Sequence, residues 1–512
     1  MGASLCVWRG LDRIGATRYV ARTIGGGEGS CRRLYWRSAE RRRETTLANE
    51  RSATLGELKA SGVRVLPVRE EMRNNLIAAI RSGTDRFPGI VGYEETVQPQ
   101  LENAILSGQD IILLGERGQA KSRIIRALTS LLDEWTPVIA GCEIPENPFN
   151  PMTPAAQALV KEKGDQTPIA WMNRSERYGE KLATPDITIA DLIGEIDPIK
   201  VAEGRYLSDE GTIHYGLIPH TNRGIFAINE LPDLQERIQV GLLNVMEERD
   251  VQIRGHKVRL PLDVLVVATA NPEDYTNRGR IITPLKDRYG SQIRTHYPRN
   301  IEHEIAIMEA ETTDLVNGDF AVVVPEFMKE IIAEISRLAR RSPDISQRSG
   351  VSVRASVANY EALIANAMRR AIRLGDNVVV PRISDLPFII PALQGKVEFE
   401  TVEEGKDEQI LDRLIQGAVV SAFNRALGDA DSELVVEAFR SGRHVEVGEA
   451  MRSAEYQRLL KEIDGLAPLV GEVTSDERPE VQACAIEFVL EGLHLNKRLN
   501  KDKSTGQALY RG

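Results

Sequence analysis

From residue 54 onward, apolar and polar positions fall into helical and strand periods in a definite order. The segment 69–82 (REEMRNNLIAAIRS) sets Met72, Leu76 and Ile80 four residues apart, which predicts an amphipathic helix with those three on its inner face. A Pro/Gly turn (FPGIVGYEETV) leads to a second helix near 94–107. The run IILL at 111–114 is short, wholly apolar and ends in glycine, the pattern of a strand buried in a parallel sheet. A helix over 121–133 starts directly after the glycine loop. Two more buried-strand runs follow, GIFAI at 224–228 and VLVVA at 264–268, with helical patterns between the strands. Strand, helix, strand without hairpin signals predicts an α/β fold with a doubly wound parallel sheet. From 301 to 375 the pattern turns helical, notably over 326–340 and 354–373. The stretch 396–408 (KVEFETVEEGKDE) is acidic and reads as exposed, and helices are expected at 409–427, 450–463 and 479–495. The resulting division is a basic tail over 1–53, an α/β core over 54–300, a helical lid over 301–395 and a mostly helical C-terminal extension over 396–512.

Composition narrows the classes. A chain of 512 residues is too long for one compact core. The net charge of −10 argues against a protein that coats nucleic acid, since such a surface is basic. No apolar run reaches the roughly 18 residues that a membrane span requires. The four cysteines, Cys6, Cys31, Cys142 and Cys484, form no CxxC pair and no zinc spacing, which fits a reduced, cytoplasmic setting. Residues 1–43 hold ten Arg, no Lys and only Asp12, Glu28 and Glu40 as acids. A disordered basic tail, a start codon placed too far upstream and an organelle-targeting peptide all fit that composition.

The chemistry concentrates at 115–122. Gly115, Glu116, Arg117, Gly118, Gln119, Ala120, Lys121 and Ser122 stand between a buried strand and a helix, the setting of a phosphate-binding loop. A glycine-rich turn can aim successive backbone N–H groups at phosphates, and a helix N-terminus adds a dipole that favours anions. Lys121 then places a positive charge on the β- and γ-phosphates, and Ser122 offers its hydroxyl to Mg²⁺. The second glycine of the usual G-x-x-x-x-G-K-[ST] pattern is replaced by Ala120. If that position needs φ > 0, alanine costs about 1–2 kcal/mol there.

Further segments fit around it. The strand 224–228 ends in Asn229 and Glu230, where Asp-Glu is the usual Walker B pair. Glu230 can polarise an attacking water as general base. Asn229 keeps a carbonyl acceptor for a Mg²⁺-bound water but lacks the charge, so weaker magnesium binding or slower turnover is expected. Read blandly, the same residues are a buried strand with a polar cap. Asn271-Pro272 ends the next strand, an ordinary turn signal as well as a sensor position. Arg288, in PLKDRY, could pair with Asp287 on the surface. Arg354 opens the helix 354–373. His214, His220 and His256 lie close in sequence, though such histidines more commonly face solvent or an interface than a metal.

Over roughly 85–375 these segments together resemble the AAA+ ATPases, in particular the I subunit of magnesium chelatase and the MoxR-like ATPases, which also carry alanine before the lysine. Lys121 and Glu230 stand 109 positions apart, more than in a minimal AAA+ core. The excess at 183–198 and 203–224 looks like the helix-2 insert of that clade, and 247–255 resembles its pre-sensor-1 β-hairpin, with a turn at Gly255-His256. The resemblance implies that Val91 and Gly92 pack on adenine, that Asn271 is sensor 1, that Arg288 is an arginine finger reaching a neighbouring subunit's nucleotide, and that Arg354 is sensor 2. It implies ATP and Mg²⁺ as ligands, a homo-oligomeric ring that in this clade is a hexamer, and a partner protein that in chelatases carries a von Willebrand-type metal-ion-dependent domain. A σ54 activator is disfavoured by the lack of a GAFTGA loop and a helix-turn-helix segment.

Overall fold

The computed structural model describes residues 10–11, 17–18, 51–196, 213–247, 250–251, 260–271, 279–312, 320–346, 349–400, 405–504 and 507–512. The basic tail, apart from those short strand pairs and residues 51–53, lies outside the described residues. So do residues 197–212 of the insert, the Gly255-His256 turn and Pro272.

Two compact units are present. The first gathers the residues up to Val65 with Thr136–Cys142 and Glu146–Met172. Its helices Leu55–Ala60 and Pro154–Lys163 are each started by a threonine whose side chain accepts a backbone N–H, Thr54 from Glu57 and Thr153 from Ala156. Leu55, Leu58 and Ile169 form its apolar centre.

The second unit holds Leu66–Trp135, Glu143–Pro145 and the chain from Asn173 onward. It opens with α1 (Val68–Ser82) and α2 (Val97–Ser107), each ended by a glycine in the left-handed region, Gly83 and Gly108. Then follow β1 (Ile111–Leu114), α3 (Lys121–Ala127), β2 (Tyr178–Leu182), β3 (Gly224–Asn229), α4 (Glu236–Glu247), β4 (Val264–Ala270), α5 (Thr283–Arg288) and β5 (Ser291–Arg294). The five strands form one sheet in the order β5-β1-β4-β3-β2, and every pairing is parallel. β3 and β4 are buried along their whole length, which is why they read as unbroken apolar runs. β2 sits at the sheet edge and alternates, with Leu182 exposed, so it gives no such run.

α1 buries Val68, Met72 and Leu76, but Ile80 is 41% exposed. Its buried stripe stops at Leu76, and the last turn before Gly83 contributes nothing to the core. Instead Glu71 is buried, and its carboxylate takes both Nη1 and Nη2 of Arg177 at 2.6 and 2.7 Å. The expected helix over 121–133 is α3 followed by a 3₁₀ turn, Leu128–Leu131. Within the insert, Gly194–Ile196 pairs antiparallel with Ile213–Tyr215. The flanks of the expected hairpin, Asp250–Val251 and Leu260–Pro261, also pair antiparallel.

The remainder includes α6 (Ile301–Glu311), α7 (Glu326–Ala339), α8 (Val353–Leu374), α9 (Lys406–Leu427), β6 (His444–Gly448), α10 (Pro479–Leu495), β7 (Asn500–Ser504) and β8 (Gln507–Arg511). One apolar cluster runs from Ile305 to Tyr510, so the segments 301–395 and 396–512 share a core. Phe488 of α10 stacks on Phe327 of α7, with centroids 4.4 Å apart. The extension also contains a three-stranded antiparallel sheet, β6-β8-β7, beside its helices. The stretch 396–408 is not uniformly exposed. Val397 is buried, Phe399 bridges to Ile345, and Lys406, Asp407 and Glu408 form the first turn of α9. Among the described residues no helix is long and apolar enough to cross a membrane.

Candidate nucleotide site

The loop between β1 and α3 turns through two left-handed residues. Gly118 has φ +75°, and Ala120, at the N-cap of α3, has φ 54°. Alanine therefore does occupy the left-handed conformation that usually calls for glycine. A Cβ on Gly115 would lie 1.9 Å from Thr295 Oγ1 on the far side of the loop. Gln119, itself buried, braces the turn from within. Its Oε1 accepts from Glu116 N at 3.1 Å and from Thr295 Oγ1 at 2.8 Å. Lys121 is 7% exposed, and its Nζ donates to the carbonyls of Gly115 at 2.5 Å and Glu116 at 2.8 Å. The ammonium is thus held inside the curl of the loop.

Beside the loop, β3 delivers Asn229 and Glu230 to the C-terminal end of the sheet. Glu230 has φ 55°, and its N–H donates to Thr269 Oγ1 of β4 at 2.9 Å. Four non-glycine residues with positive φ occur among the described residues, and Ala120 and Glu230 are two of them. Asn229 is 9% exposed, donates through Nδ2 to Glu180 Oε1 of β2 at 2.5 Å, and accepts through Oδ1 from Thr269 Oγ1 at 3.4 Å.

A cavity of about 960 Å³ opens over the loop. Arg117, Gly118, Gln119, Ala120, Lys121 and Ser122 form its floor, Val91 and Gly92 stand at one end, Glu230 enters from β3, and Arg354 from the start of α8. Gly115 and Glu116 do not line it, and neither do Asn229 and Asn271, though Asn271 is buried directly after β4. Arg288 is not brought to this cavity. Its guanidinium pairs with Glu247 of α4 and donates to the Pro284 carbonyl at 2.7 Å, rather than pairing with Asp287. His214 and His220 are exposed, and no cluster of three or more metal-ligating side chains occurs among the described residues.

Several residues at the site escaped the sequence reading. Tyr93 donates to the carbonyls of Gln119 at 3.0 Å and His296 at 2.6 Å, tying the loop to the segment after β5. Burial pushes its hydroxyl up to about 12, partly offset by its hydrogen bonds to His296 and Thr295. Tyr297 donates to the Arg117 carbonyl at 2.9 Å, with the Arg340 guanidinium 4.5 Å from its ring centroid. Arg340 in turn grips Glu304 of α6 through both nitrogens, at 2.6 and 2.8 Å. Arg123 of α3 pairs with Glu311 of α6 at 2.5 Å, and Lys396 lines the cavity from the start of the C-terminal extension. No local pattern marks these residues, because each arrives by packing distant in sequence. Glu180 had a faint signal, the alternation YGEKL.

The residues fit a nucleotide with a divalent ion. The floor is a loop held open by the left-handed Gly118 and Ala120, the buried ammonium of Lys121 sits within it, and the hydroxyl of Ser122 and the carboxamide of Asn229 are oxygen donors suited to Mg²⁺ and its waters. A β5-β1-β4-β3-β2 parallel sheet with this loop after β1, an acid after β3 and a helical lid bearing an arginine defines a P-loop protein of the AAA+ type.

The chain is similar in sequence to the magnesium-chelatase I subunits. It is 27% identical over 226 residues to the magnesium-chelatase 38 kDa subunit of Cereibacter sphaeroides, covering 43% of this chain and 62% of that protein. It is 30% identical over 233 residues to the magnesium-chelatase subunit ChlI of Guillardia theta, covering 44% of this chain and 61% of that protein. The chain thus spans less than two thirds of the length of these curated relatives. The family model of the Sigma-54 interaction domain matches residues 202–285, which include β3 and β4. Among solved structures, a BchI–BchD magnesium-chelatase assembly matches at 20% identity, over 64% of this chain and 98% of that one, with a TM-score of 0.33.

Proposed function

We propose that the chain binds ATP with Mg²⁺ and hydrolyses it as one subunit of a closed ring, using nucleotide state to remodel a partner protein. The observation that supports this most is the convergence of the strained loop, Lys121, Glu230 and Arg354 on one cavity. Loop N–H groups and Lys121 bind the phosphates, and Val91 and Gly92 flank the base. Glu230 takes a proton from the attacking water. Asn271 and Arg354 respond to the γ-phosphate. Ser122 and, through water, Asn229 would hold Mg²⁺, which when bound offsets phosphate charge.

Arg288 acts in trans, on the nucleotide of a neighbouring subunit, once released from Glu247. A finger in trans requires a heterologous interface that closes into a ring, and six subunits is the expected number. The likeness to magnesium-chelatase subunits supports a motor that serves a partner, one with a von Willebrand-type metal-ion-dependent domain being the first to test. A MoxR-like role in maturing a complex is the alternative to metal insertion into a porphyrin, since the loop GERGQAKS and the long C-terminal segment depart from the chelatase pattern.

Asn229 favours a second reading, a nucleotide-gated binding module with little hydrolysis. Calorimetry and steady-state turnover separate the two. The motor reading expects nucleotide binding by the wild type, loss of binding in Lys121→Ala, and retained binding with at least about a hundredfold slower turnover in Glu230→Gln. Unchanged turnover in both variants would end it. Tight binding with negligible turnover in the wild type would select the second reading.

A further inference from the structure

The carboxylate beside the Walker B position comes from the neighbouring strand. In the parallel register of β2 and β3, Glu180 lies opposite Ala227 and Leu182 opposite Asn229. Side chains two apart on a strand share a face, so Glu180 and Asn229 emerge on the same side of the sheet. Glu180 Oε1 accepts from Asn229 Nδ2 at 2.5 Å. A carboxylate only accepts, so the group facing it must be the amide NH₂. That fixes the carboxamide, and its oxygen turns toward β4, where Thr269 Oγ1 donates to it at 3.4 Å. The same Thr269 oxygen accepts the N–H of Glu230 at 2.9 Å. One hydrogen-bonded line therefore runs Glu180–Asn229–Thr269–Glu230.

At its other end the line reaches the cavity. Arg126 of α3, a cavity-lining residue, holds Glu180 with Nε at 2.9 Å and Nη2 at 3.0 Å. Tyr178 donates to the same carboxylate at 3.0 Å. An aspartate at 229 would replace the amide donor with a second carboxylate against Glu180, and two like charges at that distance repel.

We propose that Glu180 and Asn229 are a matched pair, in which Glu180 is a positioning residue that selects asparagine at 229 and turns its oxygen toward the magnesium side. The pair replaces the single aspartate of the usual motif, and the inference rests on the nucleotide-site reading above.

The test is a cycle of four full-length chains: wild type, Glu180→Gln, Asn229→Asp and the double variant. In the double variant a glutamine amide donates to an aspartate, so the hydrogen bond is kept with its roles exchanged. Melting temperature without nucleotide, and the Mg²⁺ concentration giving half-maximal ATPase, are measured for each. Asn229→Asp alone is expected to lower the melting temperature and to raise the half-saturating Mg²⁺ about tenfold. Adding Glu180→Gln is expected to bring both back to within about threefold of, or near, the wild-type values. An equal effect of Asn229→Asp in both backgrounds would overturn the proposal, as would coupling in melting temperature without coupling in Mg²⁺ dependence. If the wild type takes up no nucleotide in calorimetry, the nucleotide-site reading itself fails, a result separate from additivity in the cycle.

Discussion

Gly118 of the phosphate loop and Ser352 at the N-cap of α8 approach so closely that a Cβ on the glycine would lie 1.9 Å from the serine Oγ and 2.7 Å from its Cα. The second distance is to backbone, so no rotamer change relieves it. Loop and lid helix are thus in direct contact two residues before Arg354.

Gly118→Ala therefore carries two costs. At φ +75° the methyl group is strained by about 1–2 kcal/mol, and it also drives loop and lid apart. Nucleotide affinity is expected to fall by about tenfold or more, since 1.4 kcal/mol already gives a factor of ten. Titration with a fluorescent nucleotide analogue measures it. Shortening the serine in a Gly118→Ala, Ser352→Gly double variant should restore only part of the loss. Wild-type affinity in Gly118→Ala would show that the contact does not shape the site.

Tyr93 gives a pH-dependent signature. Its hydroxyl is moved from 10.0 to about 12 by burial, with the hydrogen bonds to the His296 and Thr295 groups opposing. The folded state therefore favours the neutral phenol. That contribution is fully present below pH 10 and is lost as pH rises through 10 toward 12. Tyr93→Phe should be less stable than wild type at pH 8, by about 1–2 kcal/mol for the lost hydrogen bonds. The gap should narrow above pH 10. Urea denaturation at several pH values checks it, and a gap that widens with pH would contradict the assignment.

How much of this was legible follows from where each signal resides. β3 and β4 are central, buried on both faces, and so wrote themselves as GIFAI and VLVVA. The loop was legible because a phosphate site built from backbone needs particular residues in succession. β2 was not, because an edge strand exposes Leu182 and carries Glu180 and Lys181. The sheet of β6, β7 and β8 was missed for a related reason. β7 is the charged run NKDKS, and its pairing with β8 is set by neighbours, not by an apolar pattern. Glu71 read as the polar face of α1 because nothing local announces Arg177, 106 residues away.

That ion pair sets a stability prediction. Arg177 has 0% and Glu71 4% side-chain exposure, and Arg177 Nε also donates to the Arg223 carbonyl at 2.7 Å. Removing one member of such a pair leaves the other charge buried, at about 3–5 kcal/mol. Glu71→Ala should lower the denaturation midpoint accordingly, whereas Ile80→Ala on the same helix, being exposed, should cost under about 1 kcal/mol. Similar midpoints for the two variants would refute the burial described for α1.

Lys396 brings the C-terminal extension to the cavity. It lines the same cavity as Lys121 and Arg354, and two residues on, Glu398 lies 3.9 Å from Arg117 of the phosphate loop. Its side chain is exposed, so its attraction to a phosphate is that of a charge near water, about 1 kcal/mol at 4 Å. Such a contribution grows with ligand charge and is screened by salt. Lys396→Ala should weaken ATP binding about threefold to fivefold and ADP binding less, with the difference shrinking at high ionic strength. Lys396→Glu should lose more than Lys396→Ala, because it adds repulsion to the missing attraction. Calorimetric titrations of both nucleotides at low and high salt decide the matter. Equal losses for ATP and ADP, unaffected by salt, would mean that Lys396 acts only by packing the end of the lid.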